Sequence, residues 1–467
     1  MRMPSAATAL AALVMLSAVV ECIACADKVV RLDLRPVPGV RSLQASSPFN
    51  EQRVDGTFSS HSAELYLGVP PQKATVVIDT GSAVTAVVCA TCTDCGVHNR
   101  PPYDPTKSTT AKPLACSDSR CLSCSSQQCT RGQTYADSSS FEAFLVSELA
   151  MLGNFNGSHS SSYVQANGVS FVVGCQTSVT GGFKTHPEAG IMGMQQDSST
   201  ILAAMVREGR VSRNAFSLCL APLGAGTIVL GGVSDHLNVG AMKHTPLVRP
   251  AANKYYSVDV IDLLVGNESL GLDRTAFIGF GGQTGRSFVF DSGSTISQLP
   301  PGVHDKLLQV LQAATGNPSF GVGGTAVVPA DVMAKLPTLR FVLEAVAEEG
   351  GFVHLVVPPA QYILTSPRSS IQTVGFRKGG GGIGGVLGAN VMLNHNVVFD
   401  LDKQRVGIAP ATCSNTRETV TDIVRQPSTP ATTHTTVAPL SVATSSSSVA
   451  SPAHVVLGVA VALLSST

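Results

Sequence analysis

The 467-residue chain has no tryptophan, and charged residues make up only 13% of it, with a formal net charge of zero. Without an excess of basic residues there is no electrostatic field to attract nucleic acid, so we expect no nucleic-acid partner. Two signatures of bound cofactors are also missing. The 11 histidines lack the H-x-x-x-H spacing of a helical metal site, and no Lys-Ser/Thr pair follows the glycine-rich run at 379–385. We therefore expect neither a metal nor another cofactor.

The apolar runs at the two ends of the chain are shorter than the roughly 20 residues that a membrane-spanning helix needs. At the N-terminus, an early arginine, the apolar stretch 6–20 and the sequence A-C-A at 24–26 have the arrangement of a secretory signal peptide. We place this signal peptide at residues 1–26. The alternative is a membrane anchor that is not cleaved.

The composition changes after Cys413. Residues 414–454 are rich in Ser, Thr, Pro and Ala, and such a segment cannot bury enough apolar surface to order itself, so we expect a disordered stalk. The final segment, 455–467, begins with a short apolar run that no Lys or Arg follows. Together with the small residues at 445–448, it has the pattern of a GPI-attachment signal. The alternatives are a tail anchor or a frayed end.

Between these ends the sequence predicts mostly β-structure. It is rich in Gly, Pro, Val, Ser and Thr, and short apolar runs alternate with turn signals. The strand-like runs are AELYLGVP, KATVVIDTG, SFVVGC, GTIVLGG, YYSVDVIDLLVG, RSFVFDSG and NVVFDLDKQRVGIA. Apolar periodicity predicts helices at 200–210 and 304–315. The length of the chain favours two or three domains, or one two-lobed unit.

Two short sequences nearly match each other: VVIDTGSAVT at 76–85 and FVFDSGSTIS at 288–297. Each places an aspartate, Asp79 or Asp291, after an apolar triplet that predicts a buried strand, and a glycine that permits a tight turn follows. Two carboxylates held close together cannot both ionise cheaply, so such a pair shares a proton. The ionised member can activate a water while the protonated member donates to a carbonyl oxygen, which suits peptide-bond hydrolysis. The alternative is two unrelated turns in loops.

The other residues of the two turns are predicted to surround the carboxylates. They are Thr80, Gly81 and Ser82 in the first turn, and Ser292, Gly293 and Ser294 in the second. Ser82 and Ser294, three positions after each aspartate, are placed to hydrogen-bond the carboxylates and to hold their orientation.

With these turns, the chain resembles the pepsin family of aspartic proteases over about residues 56–413, and within it the nepenthesin-like and plasmepsin V-like branch. The sequence Y-A-D-S-S at 135–139 lies where that branch carries its flap motif, Y-G-D-G-S. Further segments follow in the family's order: SFVVGC, GIMGM, FSLCL, TIVLGG and GGVLGANVMLNHNVVFDLDKQRVGIA.

The resemblance implies an all-β, bilobal pepsin-like fold with a few short helices and an active-site cleft between the lobes. We place the lobes at 56–245 and 246–413, after a short pro-region or N-terminal arm at 27–55. The resemblance also implies that Asp79 and Asp291 are the catalytic pair. Tyr135 and Asp137 would belong to a flap that closes over the substrate.

Two flap positions depart from the family's pattern. Ala136 and Ser138 replace the glycines of the motif. Since added β-carbons stiffen a hairpin tip, we expect a less mobile flap. The tryptophan that supports the flap tyrosine in many relatives is also absent.

Removal of residues 1–26 leaves an even number of cysteines, which predicts disulfides in a secreted chain. The ten candidates are Cys89, Cys92, Cys95, Cys116, Cys121, Cys124, Cys129, Cys175, Cys219 and Cys413. The spacing at 89–98 could instead bind zinc through three of these cysteines and His98. We favour disulfides, because the first seven cysteines look like the Cys-rich insertion of nepenthesin-like enzymes. The sequons at Asn156 and Asn267 are candidate glycosylation sites.

The sequence therefore predicts a monomeric aspartic endopeptidase that acts on polypeptides. We expect it in the secretory pathway, extracellular or tethered to the cell surface through its C-terminal anchor, with the ER or Golgi lumen as the alternative. Two other functions stay open. The altered flap glycines suggest a catalytically weak homologue that serves as a surface binding protein, and the resemblance allows a maturase that cuts one motif in the secretory pathway.

Overall fold

The computed structural model describes residues 30–34, 60–153, 160–248, 254–277, 288–365, 371–379 and 384–413. The predicted signal peptide, stalk and C-terminal tail lie outside these residues, as do Asn156 and most of the predicted N-terminal arm. Among the described residues, no helix combines the length and the apolar character needed to cross a membrane.

Strands dominate the described residues, and all but one of the helices there are short, which confirms the all-β, bilobal pepsin-like class. The α-helices are Ser161–Asn167, Gly182–Thr185, Ile201–Arg207, Pro301–Thr315, Ala330–Met333, Pro359–Tyr362 and Ala389–Met392. Single 3-10 turns occur at Pro105–Lys107, Pro222–Gly224, Asp235–Leu237, Arg274–Phe277 and Val322–Gly324.

Both predicted helices form. The first, Ile201–Arg207, begins after Thr200, whose side chain accepts the Ala203 N–H and caps the helix. The second starts three residues before its predicted position, at Pro301, because proline fits the first helical turn without an N–H partner. It ends at Gly316, which takes the left-handed conformation (φ 65°) that glycine adopts at little cost.

The N-terminal lobe is built on a nine-stranded sheet. Its strands are Ser62–Leu67, Gln72–Asp79, Gly190–Gly193, Ala86–Val88, Val169–Val179, Ser140–Leu152, Gln128–Thr134 and Ser123–Ser125, with Lys112–Pro113 added at the side of Ser140–Leu152. The two long strands Ser140–Leu152 and Val169–Val179 form its central hairpin. The strand Gln128–Thr134 pairs with Ser140–Leu152, so residues 135–139 form the tip of a second hairpin.

The C-terminal lobe contains three smaller sheets. The five-stranded sheet has the order Ser257–Val258, Phe288–Asp291, Gly385–Gly388, Ser297–Leu299 and Phe376–Lys378. The four-stranded sheet has the order Glu268–Ser269, Val260–Val265, Leu339–Glu344 and Phe352–Val357. The three-stranded sheet has the order Thr325–Ala326, Gln372–Val374 and Ile363–Leu364.

A six-stranded sheet joins strands from both halves of the chain. Its order is Val30–Leu34, Gly226–Leu230, Ala215–Leu220, His395–Asp400, Arg405–Pro410 and Lys243–Pro246. The predicted arm therefore supplies an edge strand. The ring of Phe399 stacks on Phe216 (centroids 4.6 Å apart) and lies 4.5 Å from Tyr256 and 6.2 Å from Phe290. These buried rings bring the strand before Asp291 and the shared sheet into one core.

The ten cysteines pair in five disulfides: Cys89–Cys175, Cys92–Cys95, Cys116–Cys124, Cys121–Cys129 and Cys219–Cys413. Since Cys89, Cys92 and Cys95 are all bonded to other cysteines, their sulfur atoms are not available as the thiolates of the zinc alternative. Asn267 lies exposed in a turn, where its Oδ1 accepts a hydrogen bond from Arg340 at 3.0 Å.

Candidate active site

Each candidate aspartate is the last residue of a strand that runs parallel to a strand with glycine at both ends. The first pair is Gln72–Asp79 with Gly190–Gly193, and the second is Phe288–Asp291 with Gly385–Gly388. In both pairs the aspartate lies opposite the final glycine. The apolar residues before each aspartate pack into the core, and Thr80 and Ser292, which follow the aspartates, are also buried.

The two turns orient their carboxylates through the same hydrogen bonds. In the first turn the Gly81 N–H donates to one carboxylate oxygen at 2.8 Å, and the Ser82 hydroxyl donates to the other. In the second turn the Gly293 N–H donates at 3.0 Å and the Ser294 hydroxyl at 2.8 Å. A glycine N–H and a serine hydroxyl thus hold the carboxylate in each of the two turns.

The carboxylate of each turn lies against the glycine of the other turn. A β-carbon added at Gly81 would lie 2.6 Å from Oδ1 of Asp291, and one added at Gly293 would overlap Oδ1 of Asp79. Such a close approach is possible only for a residue without a side chain. The two aspartates, far apart in sequence, therefore belong to one site.

Thr80 and Ser292 join the two turns directly, which the sequence patterns did not reveal. The Thr80 hydroxyl donates to the Phe290 carbonyl at 2.9 Å and accepts the Ser292 N–H at 2.9 Å. In return, the Ser292 hydroxyl donates to the Ile78 carbonyl at 2.7 Å and accepts the Thr80 N–H at 3.1 Å. The sequence feature that could have indicated these bonds is the hydroxyl-bearing residue immediately after each aspartate. The reciprocal bonds fix the two carboxylates relative to each other.

The carboxylate pair is electrostatically asymmetric. Asp79 is only 3% exposed, whereas Asp291 is partly accessible. Burial, followed by the negative charge of Asp291, raises the pKa of Asp79 to about 8. The hydrogen bonds from Ser82 and Gly81 oppose this shift without cancelling it. The raised pKa favours the protonated form of Asp79, as expected where two carboxylates are held close together.

Replacement of Thr80 by valine is expected to lower the free energy of unfolding by about 2–5 kcal/mol, because it leaves the buried Ser292 N–H and Phe290 carbonyl without their partner. The matched control is Thr85→Val, since the Thr85 hydroxyl is buried and has no hydrogen-bond partner among the described residues. Urea unfolding of both variants measures the difference. If the two variants lose equal free energies of unfolding, the cross-turn hydrogen bonds do not stabilise the fold.

Tyr135 lies at the flap tip and faces the carboxylate pair. Its half-buried ring packs against Phe141 and Phe183, with centroid distances of 6.3 and 5.4 Å. Burial and then the negative charge of Asp79 raise the pKa of Tyr135 above its usual range, whereas an interaction with the Ser82 hydroxyl opposes this shift. The Tyr135 hydroxyl is buried and makes no short hydrogen bond among the described residues. Its interactions with Asp79 and Ser82 place Tyr135 beside the first aspartate turn.

The remaining flap residues form a tight turn. The carboxylate of Asp137 accepts the Ser139 N–H at 2.9 Å and the Ser139 hydroxyl at 2.7 Å, so it stabilises the turn itself. Ser138 has a left-handed backbone (φ 67°), which costs a residue with a β-carbon about 1–2 kcal/mol more than glycine. Ala136 is not among the residues with positive φ. Of the two residues that replace the motif's glycines, only Ser138 therefore has a conformational cost.

A bilobal β-fold in which each lobe contributes one aspartate turn to a shared, buried carboxylate pair defines the pepsin-like aspartic proteases. The family model described as "Eukaryotic aspartyl protease" matches residues 60–411. The chain belongs to this family.

Three relatives illustrate the similarity. Gastricsin from Mus musculus is 25% identical over 367 residues, which cover 76% of this chain and 81% of gastricsin. Aspartic proteinase 39 from Arabidopsis thaliana is 26% identical over 387 residues, with coverage of 78% and 77%. Aspartic proteinase nepenthesin-1 from Nepenthes gracilis is 23% identical over 363 residues, with coverage of 75% and 77%.

Proposed function

We propose that the protein is an aspartic endopeptidase in which Asp79 and Asp291 are the catalytic pair. The observation that carries this proposal is the shared site: two carboxylates held by equivalent hydrogen bonds, one of them buried with its pKa raised to about 8. A carboxyl group whose pKa is raised, beside a second carboxylate, is a ready acid–base pair.

The chemistry follows from the position of the shared proton. A water bound between the carboxylates attacks the carbonyl carbon of the scissile peptide bond and gives one proton to Asp291. Asp79 donates its proton to the carbonyl oxygen, so the intermediate is a neutral gem-diol. Asp291 then protonates the leaving nitrogen while a diol hydroxyl returns a proton to Asp79, and the C–N bond breaks. Both carboxyl groups end as they began.

The flap and the strand architecture suit a polypeptide substrate. An extended peptide can pair its backbone with strand edges, which binds it without requiring one particular sequence. Tyr135, whose hydroxyl interacts with Asp79 and Ser82, is the residue that we assign to closing the cleft over a bound peptide. Closure excludes water other than the attacking one and strengthens the electrostatic interactions in the site.

The direct test is cleavage of a denatured protein at several pH values from about 3 to 7, the range in which a carboxyl pair holds one proton. We expect cleavage at internal bonds, and we expect a statine-type mimic of the gem-diol to inhibit it tightly, since it resembles the transition state. A protein that neither cleaves nor binds the mimic would contradict the proposal.

Two finer assignments are also proposals. The Cys-rich segment between Asp79 and the flap supports membership of the nepenthesin-like and plasmepsin V-like branch. The five disulfides support a protein that folds in the secretory pathway. We further propose that the C-terminal tail directs attachment of a GPI anchor, and that the two lobes comprise residues 56–245 and 246–413.

Treatment of expressing cells with a phosphatidylinositol-specific phospholipase is expected to release the protein into the medium. A chain truncated after residue 413 is the control, because it lacks the attachment signal and should be secreted without treatment. Retention of the full chain on the membrane after the treatment would exclude the lipid anchor.

A further inference from the structure

A segment outside the proposed catalytic machinery packs against the flap. We call residues 180–186 the flap support. It follows the strand Val169–Val179 and contains the short helix Gly182–Thr185. It contacts the flap through both a ring cluster and a set of hydrogen bonds.

The ring cluster joins Phe183 of the support to two flap residues. The ring of Phe183 lies 5.4 Å from that of Tyr135, at an interplanar angle of 59°, and 5.7 Å from that of Phe141, nearly perpendicular at 86°. These distances and tilted arrangements are those at which aromatic rings attract each other. Phe141 belongs to the hairpin itself, whereas Phe183 reaches Tyr135 from outside it. Phe183 therefore limits the positions that the tyrosine ring can take.

Hydrogen bonds connect the flap support to the turn at the tip of the flap. The Gly182 N–H donates to the buried Ser139 hydroxyl at 2.8 Å, and this hydroxyl in turn donates to Asp137 at 2.7 Å. A further hydrogen bond joins the two segments, from the Thr180 N–H to the Ser140 carbonyl at 2.8 Å. The support is thus connected to the turn that carries Tyr135, and not only to its ring.

The close approach of the two segments depends on glycine. Gly181 has a positive φ of 59°, and a β-carbon there would lie 2.5 Å from the Ser139 hydroxyl oxygen. A side chain at this position would push the support away from the flap and would strain its own backbone.

The loop of the Cys92–Cys95 disulfide packs against the far side of the flap support. Lys184 pairs with Asp94 within this loop (Nζ to Oδ2, 2.5 Å), and just beyond the loop the Nδ1 atom of His98 lies 3.2 Å from the His186 carbonyl oxygen. Both cysteines also pack in the same apolar cluster as Tyr135 and Phe183. The support therefore contacts this loop as well as the flap.

We propose that Phe183 is a positioning residue that sets the orientation of Tyr135 over the carboxylate pair. The role rests on the proposed function, because it assumes that Tyr135 covers the reacting peptide bond. Phe183 acts through Tyr135, and the flap support holds Phe183 in place.

Replacement of Phe183 by alanine is expected to lower kcat/KM about 10- to 100-fold, because a catalytic group displaced by about 1 Å loses activity on that scale. Phe183→Leu, which keeps most of the apolar volume, is expected to remain within about threefold of the native enzyme. Ser139→Ala removes the hydrogen bond from Gly182 but keeps all three rings, and it is expected to lower kcat/KM in the same direction by a smaller factor.

Combination with Tyr135→Ala separates positioning from a general structural defect. If Phe183 acts through Tyr135, then Phe183→Ala has no further effect on kcat/KM once Tyr135 is alanine. Phe144→Ala is the matched control. Phe144 is a partly buried phenylalanine of the flap hairpin, but its side chain packs against the main core and not in the cluster that contains Tyr135. Its effect is expected to add to that of Tyr135→Ala. Additive effects for Phe183 as well would overturn the proposal.

Hydrogen exchange tests the inference without relying on catalysis. The amide of Tyr135 donates to the Ser139 carbonyl at 2.8 Å, and that of Ser138 to the Tyr135 carbonyl at 3.0 Å. Both amides are expected to exchange at least about tenfold faster in Phe183→Ala than in the native protein. Unchanged exchange would overturn the positioning role even if the native protein cleaves peptides. Faster exchange in a protein without protease activity would preserve the flap support and refute the proposed function alone.

Discussion

Asp79→Asn and Asp291→Asn are each expected to lower kcat by about 10⁴-fold or more, because each removes one half of the acid–base pair. Asparagine has nearly the same shape as aspartate and still accepts the hydrogen bond from Gly81 or Gly293, so the fold should persist. It cannot hold the shared proton, and it cannot accept one from water. The loss should therefore appear at every pH.

The measurement is kcat against a denatured protein substrate, with circular dichroism to confirm that each variant is folded. Asp273→Asn is the matched control: it changes an exposed aspartate whose carboxylate also accepts from a turn, through Thr275 at 2.9 and 2.6 Å. This variant should retain full activity. Activity within about 100-fold of the native enzyme in either Asp79→Asn or Asp291→Asn would refute the assignment of that residue.

The second large effect concerns the dependence of stability on pH. The pKa of Asp79 is raised in the folded protein from 3.8 to about 8, so between these values the folded chain holds a proton that the unfolded chain has lost. A group with a raised pKa stabilises the fold fully below its unfolded pKa, and this contribution is lost as pH rises toward the folded pKa. Burial of Asp79 therefore weakens the protein increasingly from about pH 4 to about pH 8.

Asp79→Asn removes this titration. At about pH 4 the variant and the native protein should have similar free energies of unfolding, and at about pH 7.5 the variant should be more stable by about 2–5 kcal/mol. Two buried histidines, His61 and His395, have pKa values lowered by burial and weaken the fold at low pH instead. They are present in both proteins and cancel in the difference. Denaturant unfolding at several pH values measures that difference, and a difference that does not change with pH would contradict the buried, protonated Asp79.

Much of the site followed from local sequence. The apolar triplet, the aspartate, the glycine and the serine three positions later specify a strand, a tight turn and an oriented carboxylate within ten residues. The helix predicted at 304–315 from its apolar face forms as Pro301–Thr315. These features depend on neighbours along the chain, where periodicity and turn chemistry act.

Other features required contacts between distant residues. Cys89 pairs with Cys175 and Cys219 with Cys413 across 86 and 194 residues, and cysteine spacing contains no information about such partners. Thr80 and Ser292 bond across 212 residues. The sequence did not predict a role for Phe183, because a single phenylalanine between glycine and lysine has no local pattern that marks it as a neighbour of Tyr135.

The sequence by itself determined that the chain holds two equivalent carboxylate turns, and hence the chemistry that a joined pair performs. Only the tertiary structure decided how deeply each of the two carboxylates is buried. The turns have nearly the same local sequence, yet Asp79 is 3% exposed and Asp291 is more accessible, because different parts of the fold cover them. Desolvation depends on everything packed around a group, so the raised pKa of Asp79 is a property of the assembled fold and not of its local sequence.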